Sequence, residues 1–110
     1  MGSGVALAAD VPWDAQDAAS VMVTVAPSGT QTLCTRLKGG QRVVWAFVSQ
    51  SSVDFNLHRP QGKALDYLVQ KAAVREARDA LEAAAAQEYC WMWINRTEAA
   101  AQISVQMRRR

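Results

Sequence analysis

The sequence contains a single histidine, His58, in 110 residues. That scarcity excludes much of the chemistry open to a small β-rich protein. A blue-copper centre needs two histidines, a cysteine and a weak axial ligand, and cannot be assembled from one imidazole. Nucleophilic catalysis needs a base held against a nucleophile, and His58 stands alone with no glycine-flanked serine elbow. The only two cysteines, Cys34 and Cys90, are too far apart for a C-x-x-C redox or zinc motif. There is no glycine-rich loop of the phosphate-cradling kind, because Gly39-Gly40 reads as a turn. No run approaches the roughly 20 apolar residues of a membrane-spanning helix. A surplus of positive charge is missing too. The net charge is +2, and Arg108, Arg109 and Arg110 alone carry three positive charges, leaving the rest of the chain near −1. A nucleic-acid-binding face needs Lys and Arg clustered across the domain, so none is expected. Neither an enzyme nor a cofactor or metal site is predicted.

What is present reads as one exported domain. Half of the residues are hydrophobic, but many of these are alanine, which buries little surface. A chain of this size buries only about two thirds of its unfolded surface and is marginal without a staple. An even cysteine count in a small exported domain favours a disulfide, which for so long a loop contributes about 4 kcal/mol in the chain-entropy model. At the start, Met1-Gly2-Ser3-Gly4 reads as an expression tag, and Ala6-Leu7-Ala8 before Ala9 as the small-residue end of a secretory signal. The expected organisation is a tag and signal-peptide remnant over 1–8, an N-terminal arm over 9–19, a folded domain over 20–107 and a solvated basic tail over 108–110. Abundant alanine, and arginine in preference to lysine, suit a bacterial protein that is periplasmic or secreted.

Alternation defines the strands. Residues 20–26, SVMVTVA, set Val21, Val23 and Val25 against Met22 and Thr24, the pattern of a half-buried strand. Strands are also expected over 31–37 and 42–49, joined by a tight hairpin at Lys38-Gly39-Gly40-Gln41. The 42–49 strand is apolar on both faces and so should be central. After a polar turn at Ser49–Ser52, residues 53–59 place Val53, Phe55 and Leu57 on one face and Asp54, Asn56 and solvated His58 on the other. Pro60-Gln61-Gly62-Lys63 is a turn, with a returning strand over 64–69. Residues 87–94 alternate Cys90, Met92 and Ile94 against Tyr89, Trp91 and Trp93. The last strand, 101–107, turns Ile103, Val105 and Met107 inward. Short strands separated by turns predict an all-β, antiparallel sandwich of about seven strands. Residues 70–86, QKAAVREARDALEAAAA, have high helix propensity, and composition alone predicts a helix over about 70–84. Asn95-Arg96-Thr97 satisfies the glycosylation sequon, but Asn95 is read as a turn cap.

Three segments together are similar to a known module. "VDFNLHRPQGKALDY", "QEYCWMWINRT" and "AQISVQM" resemble the alternating strand, returning turn and last two strands of the GOLD-type β-sandwich, the lumenal module of the p24 cargo-receptor family. The resemblance runs from about Leu33 to Met107 and rests mainly on residues 53–67 and 87–95. It implies that Cys34 pairs with Cys90, which then faces the core beside Met92 and Ile94. It also implies an edge-forming strand near 79–84, so the helix is shortened to about 70–78 within a 70–80 window. That family continues into a coiled coil and a membrane span, whereas this chain ends at Arg110, so cargo-receptor function is not expected to carry over. The implied role is a non-enzymatic binding module that works through contacts with an unknown protein partner, as a monomer or as a weak dimer through an edge strand. The alternative is a small-ligand binder, for carbohydrate or metal. It would use an exposed patch of Tyr89, Trp91 and Trp93 with His58 and Asn56, or Cu(I) held by a free Cys90 with Met92.

Overall fold

The computed structural model describes residues 7–110; the residues read as a tag and the first part of the signal-like stretch fall outside these residues. Seven strands follow in chain order: β1 (Leu7–Asp10), β2 (Ala18–Val25), β3 (Thr30–Leu37), β4 (Arg42–Gln61), β5 (Ala64–Glu82), β6 (Gln87–Ile94) and β7 (Ala101–Arg109). They form one mixed sheet in the order β1-β3-β6-β4-β7-β2, with β5 on β4. All neighbours are antiparallel except β1, which lies parallel to β3. The sheet curls around a single core until β2 and β3 come into contact.

The curl depends on the 20-residue β4. Its first half pairs with β7 and its second half with β6, while β5 follows it nearly throughout. The polar run Ser49–Ser52, expected as a turn, is the corner between the halves, where the register shifts between Val48 and Val53. Ser49 Oγ donates to Ser51 O at 2.6 Å, so local side-chain bonding replaces ladder bonds where the strand bends. Alternation survives the corner: Val43, Trp45, Phe47, Val53, Phe55 and Leu57 all point inward. Trp45, Phe47, Phe55 and Trp93 pack ring against ring, with centroids 4.8–6.4 Å apart. The indole N–H groups of Trp45, Trp91 and Trp93 find no hydrogen-bond acceptor, so packing holds these rings.

Residues 70–80 are the largest correction. No helix forms there; β5 stays extended for 19 residues. Helix propensity is worth tenths of a kcal/mol per residue, and pairing along β4 outweighs it. Val69, Val74, Ala77 and Leu81 supply apolar contacts to the core. Bulges accommodate the rest: Ala73 adopts φ 52° and its N–H donates to Asp54 Oδ1 at 2.9 Å.

Smaller corrections concern the connections and ends. Lys38–Gln41 is a turn, closed by Gln41 N–H to Lys38 O at 3.1 Å with Gly40 at φ 89°. It is not a hairpin, because β3 and β4 are not neighbours. The real hairpin is β4–β5, where Gly62 at φ 63° takes the turn position that disfavours a side chain. The arm reduces to residues 11–17, since Ala9 and Asp10 lie in β1 and Ala18 opens β2. The basic end is no loose tail. Arg108 and Arg109 belong to β7, and the Arg109 guanidinium pairs with Asp17 at 2.7 Å and lies 4.6 Å from the Trp13 ring centroid. Trp13 in turn donates Nε1–H to Thr35 Oγ1 at 2.8 Å.

Candidate functional site

Strand β6 has the expected limits but the opposite facing. Tyr89, Trp91 and Trp93 are at most 1% exposed and line the core, so the exposed aromatic patch of the small-ligand alternative is absent from the surface. Both faces of β6 are apolar, and alternation cannot choose between them; bulk does, because the curled sheet must fill its concave side. Tyr89 also satisfies its hydroxyl, which donates to Ala85 O at 3.1 Å.

Cys90 therefore lies on the outer face, directly opposite Cys34 across β3–β6, and the two form a disulfide spanning 56 residues. Such bonds persist in oxidising compartments, and the protein is periplasmic or secreted. The sulfurs are committed to each other, so Cys90-x-Met92 offers no thiolate to copper, and neither does the Cys34, Glu88 and Cys90 cluster. His58 sits beside Cys90 in register. It is buried rather than solvated, as is Asn56. His58 Nδ1 lies 2.6 Å from Asn56 Oδ1; an amide oxygen only accepts, so the imidazole proton sits on Nδ1. The Asn56 amide donates to Met92 Sδ at 3.5 Å, and the Tyr67 ring meets the imidazole edge to face at 5.9 Å. Burial holds the His58 pKa below its ordinary value, partly offset by the Glu88 carboxylate. The Asn56 and His58 side chains of this cluster are buried and bond each other. The cluster braces the outer face and presents no nucleophile.

Two other features reach solvent. The first is the tip of the β4–β5 hairpin, which extends past the last β4–β6 pair, His58 with Cys90. Leu65 lies past that pair and Tyr67 and Leu68 level with it, at 45%, 45% and 40% exposure. The register shift between Leu57 and His58 makes Leu68 the extra residue of a bulge, which re-aims its side chain. Arg59 and Asp66 pair across the strands at 2.9 Å and stiffen the tip. The second is a shallow groove of about 480 Å³ on the outer face near the start of β4, with Arg42, Arg78 and Arg108 around Val44 and Ala46. The sequence reading missed both features. The apolar triplet around Asp66 in "ALDYLV" is the available sign of the tip, but its pattern alone reads as an ordinary returning strand.

No family model and no curated protein matches the sequence. Solved structures of the same fold exist. A periplasmic inhibitor of g-type lysozyme, PliG, from Aeromonas hydrophila superposes with a TM-score of 0.72 at 16% identity, covering 96% of this chain and 97% of that one. PliG from Salmonella Typhimurium gives 0.64 at 17% identity, covering 94% and 97%. The Yersinia pseudotuberculosis-derived mitogen gives 0.65 at 11% identity, covering 84% and 86%. At these identities the likeness establishes the shared fold.

Proposed function

We propose that this protein is a non-enzymatic, exported interaction module that binds another protein through the tip of the β4–β5 hairpin. The observation that carries this reading is the group of exposed side chains Leu65, Tyr67 and Leu68 on a braced, projecting hairpin. Apolar residues gathered at a rigid projection favour a partner surface, and His58, buried against Asn56, has no nucleophile held beside it. The PliG proteins, which share the fold, are inhibitors of g-type lysozyme; a lysozyme is accordingly the first partner to test. The resemblance of residues 53–67 and 87–95 to GOLD-type modules belongs to the same proposal, and so does the reading of the curled sheet as a sandwich whose layers share β4 and β5.

A photocrosslinker placed at Tyr67 tests the reading, with one at Lys38, beyond the opposite end of β4, as control. In the cells that export the protein, Tyr67 should yield a discrete protein adduct and Lys38 none. Equal labelling at both positions, or none at Tyr67, refutes the tip as the binding surface. Titration with a g-type lysozyme, repeated with Leu65→Asp and Leu68→Asp, decides the particular partner.

A further inference from the structure

Among the described residues, strand β5 pairs only with β4, so its second edge is open. Along Arg42–Val48 it is regular, with Arg42 opposite Glu82 through Val48 opposite Glu76. Ala83 donates its N–H to Gln41 O at 2.8 Å. Antiparallel alternation then turns the backbone of odd positions toward β4 and presents that of Glu76, Arg78 and Ala80 to the open edge. Long open edges are normally blunted by scattered charges and bulges. This one carries charges, but in a particular order: Val74, Arg75, Glu76, Ala77, Arg78, Asp79, Ala80.

We infer that this edge pairs with the same edge of a second copy of the chain, antiparallel and centred on Ala77. A two-fold axis through Ala77 sets Arg75 opposite Asp79 of the second copy and Glu76 opposite its Arg78, and the symmetry repeats each pair. The register shift between Val48 and Val53 falls between Glu76 and Val74 and, with Ala73 at φ 52° just beyond, ends the pairing at both sides. The neighbouring registers fail. Centring on Arg78 sets that residue against itself, as centring on Glu76 does for Glu76. Shifting the axis half a residue sets Arg75 against Arg78, or Glu76 against Asp79. Opposite charges directly across a ladder stabilise it and like charges destabilise it, so among these registers the one centred on Ala77 is free of repulsion. All four side chains are exposed, and none belongs to an ion pair among the described residues; Asp79 Oδ1 accepts from the Ala80 N–H at 2.8 Å, a local bond that the pairing would exchange for one to Arg75. The small Ala77 and Ala80 leave room for close approach. The arrangement sends the two hairpin tips to opposite ends of the pair, and it holds whatever those tips bind.

Sedimentation velocity over a concentration series, in about 50 mM salt, tests the inference. The wild-type protein should pass from a species of 12.0 kDa to one of twice that mass. Glu76→Arg and Arg78→Glu should each weaken association at least about tenfold by creating like-charge pairs. The double variant, with the charges exchanged, should return to within about threefold of wild type, because complementarity is restored. Circular dichroism confirms that the surface variants are folded. A monomer up to about 1 mM, beyond which association is too weak to matter, overturns the inference. So does a dimer insensitive to Glu76→Arg, or a double variant as weak as the single ones.

Discussion

Asn95 is the residue whose removal tests the architecture most directly. It follows β6, is fully buried, and ties three segments together. Its amide nitrogen donates to Val25 O at 3.1 Å, Ala26 O at 3.2 Å and Ala99 O at 2.8 Å. Its Oδ1 accepts from Thr97 N at 3.0 Å and from Thr97 Oγ1 at 2.7 Å. Asn95→Ala removes all of these. Two hydrogens serve three carbonyls, and the Thr97 hydroxyl can turn to Ala99 O at 2.9 Å, so the loss amounts to about three net hydrogen bonds at roughly 1 kcal/mol each. The expected cost is about 3 kcal/mol, a large share of the roughly 5–15 kcal/mol that holds a domain together. It should appear as a fall in Tm of about 10–15 °C and as a matching shift in a urea titration with unchanged slope. Thr97→Val, which loses only the hydroxyl bonds, should cost about 1 kcal/mol. A change in Tm within about 3 °C for Asn95→Ala, or equal costs for the two variants, refutes the reasoning. The same geometry explains why the sequon letters are misleading: the amide that a glycan would occupy is already spent on the fold.

Replacing Cys34 and Cys90 together by alanine should cost about 4 kcal/mol, measured by denaturant titration against the oxidised protein; a loss below about 1 kcal/mol would contradict the stapling role. Because burial lowers the His58 pKa, the unfolded chain binds the proton more readily. Stability should therefore be full above the ordinary histidine value of 6.5 and decline as pH falls from there toward the folded value, and His58→Gln should flatten that slope in melts between about pH 5 and 7. Ala73→Gly should raise stability by about 0.5–1 kcal/mol, since glycine tolerates the positive φ at the bulge; thermal melts showing destabilisation would mean that the strain is absent.

The strands with one clear apolar face were legible from the residues. In β7, Ile103, Val105 and Met107 are buried as alternation requires. In the second half of β4 the same holds for Val53, Phe55 and Leu57. The limits of β6 also followed from the pattern, but its facing did not, because Tyr-Trp-Trp and Cys-Met-Ile are both apolar sets. The disulfide was readable for a different reason: cysteine pairing depends on count and compartment and not on which face is buried, so it survives the inverted facing. The candidate site fared worse. Tyr89, Trp91, Trp93, His58 and Asn56 are buried, whereas Leu65, Tyr67 and Leu68 reach solvent. Exposure depends on which strand outruns its neighbours, and that is a property of pairing between distant segments.

Strand β5 shows where single-sequence reasoning must fail in this fold. Its composition is that of a helix, and as a free segment it has little reason to extend. The reason lies elsewhere in the chain. Without β5, the edge of a 20-residue β4 would stand open along its whole length, and the core side chains Val43, Phe47 and Val53 would lose the cover of Leu81, Ala77 and Val74, their register partners. Burying that edge satisfies backbone groups that a helix packed on the sheet would leave to water. The consequence is that the open edge moves outward onto β5 itself, onto residues with weak strand preference and dense charge. Alanine and alternating Arg and Glu or Asp serve both needs: they permit extension next to β4 and make promiscuous pairing costly. A segment that looks like a helix in isolation is, in this position, an edge strand whose charge order limits what can add to it.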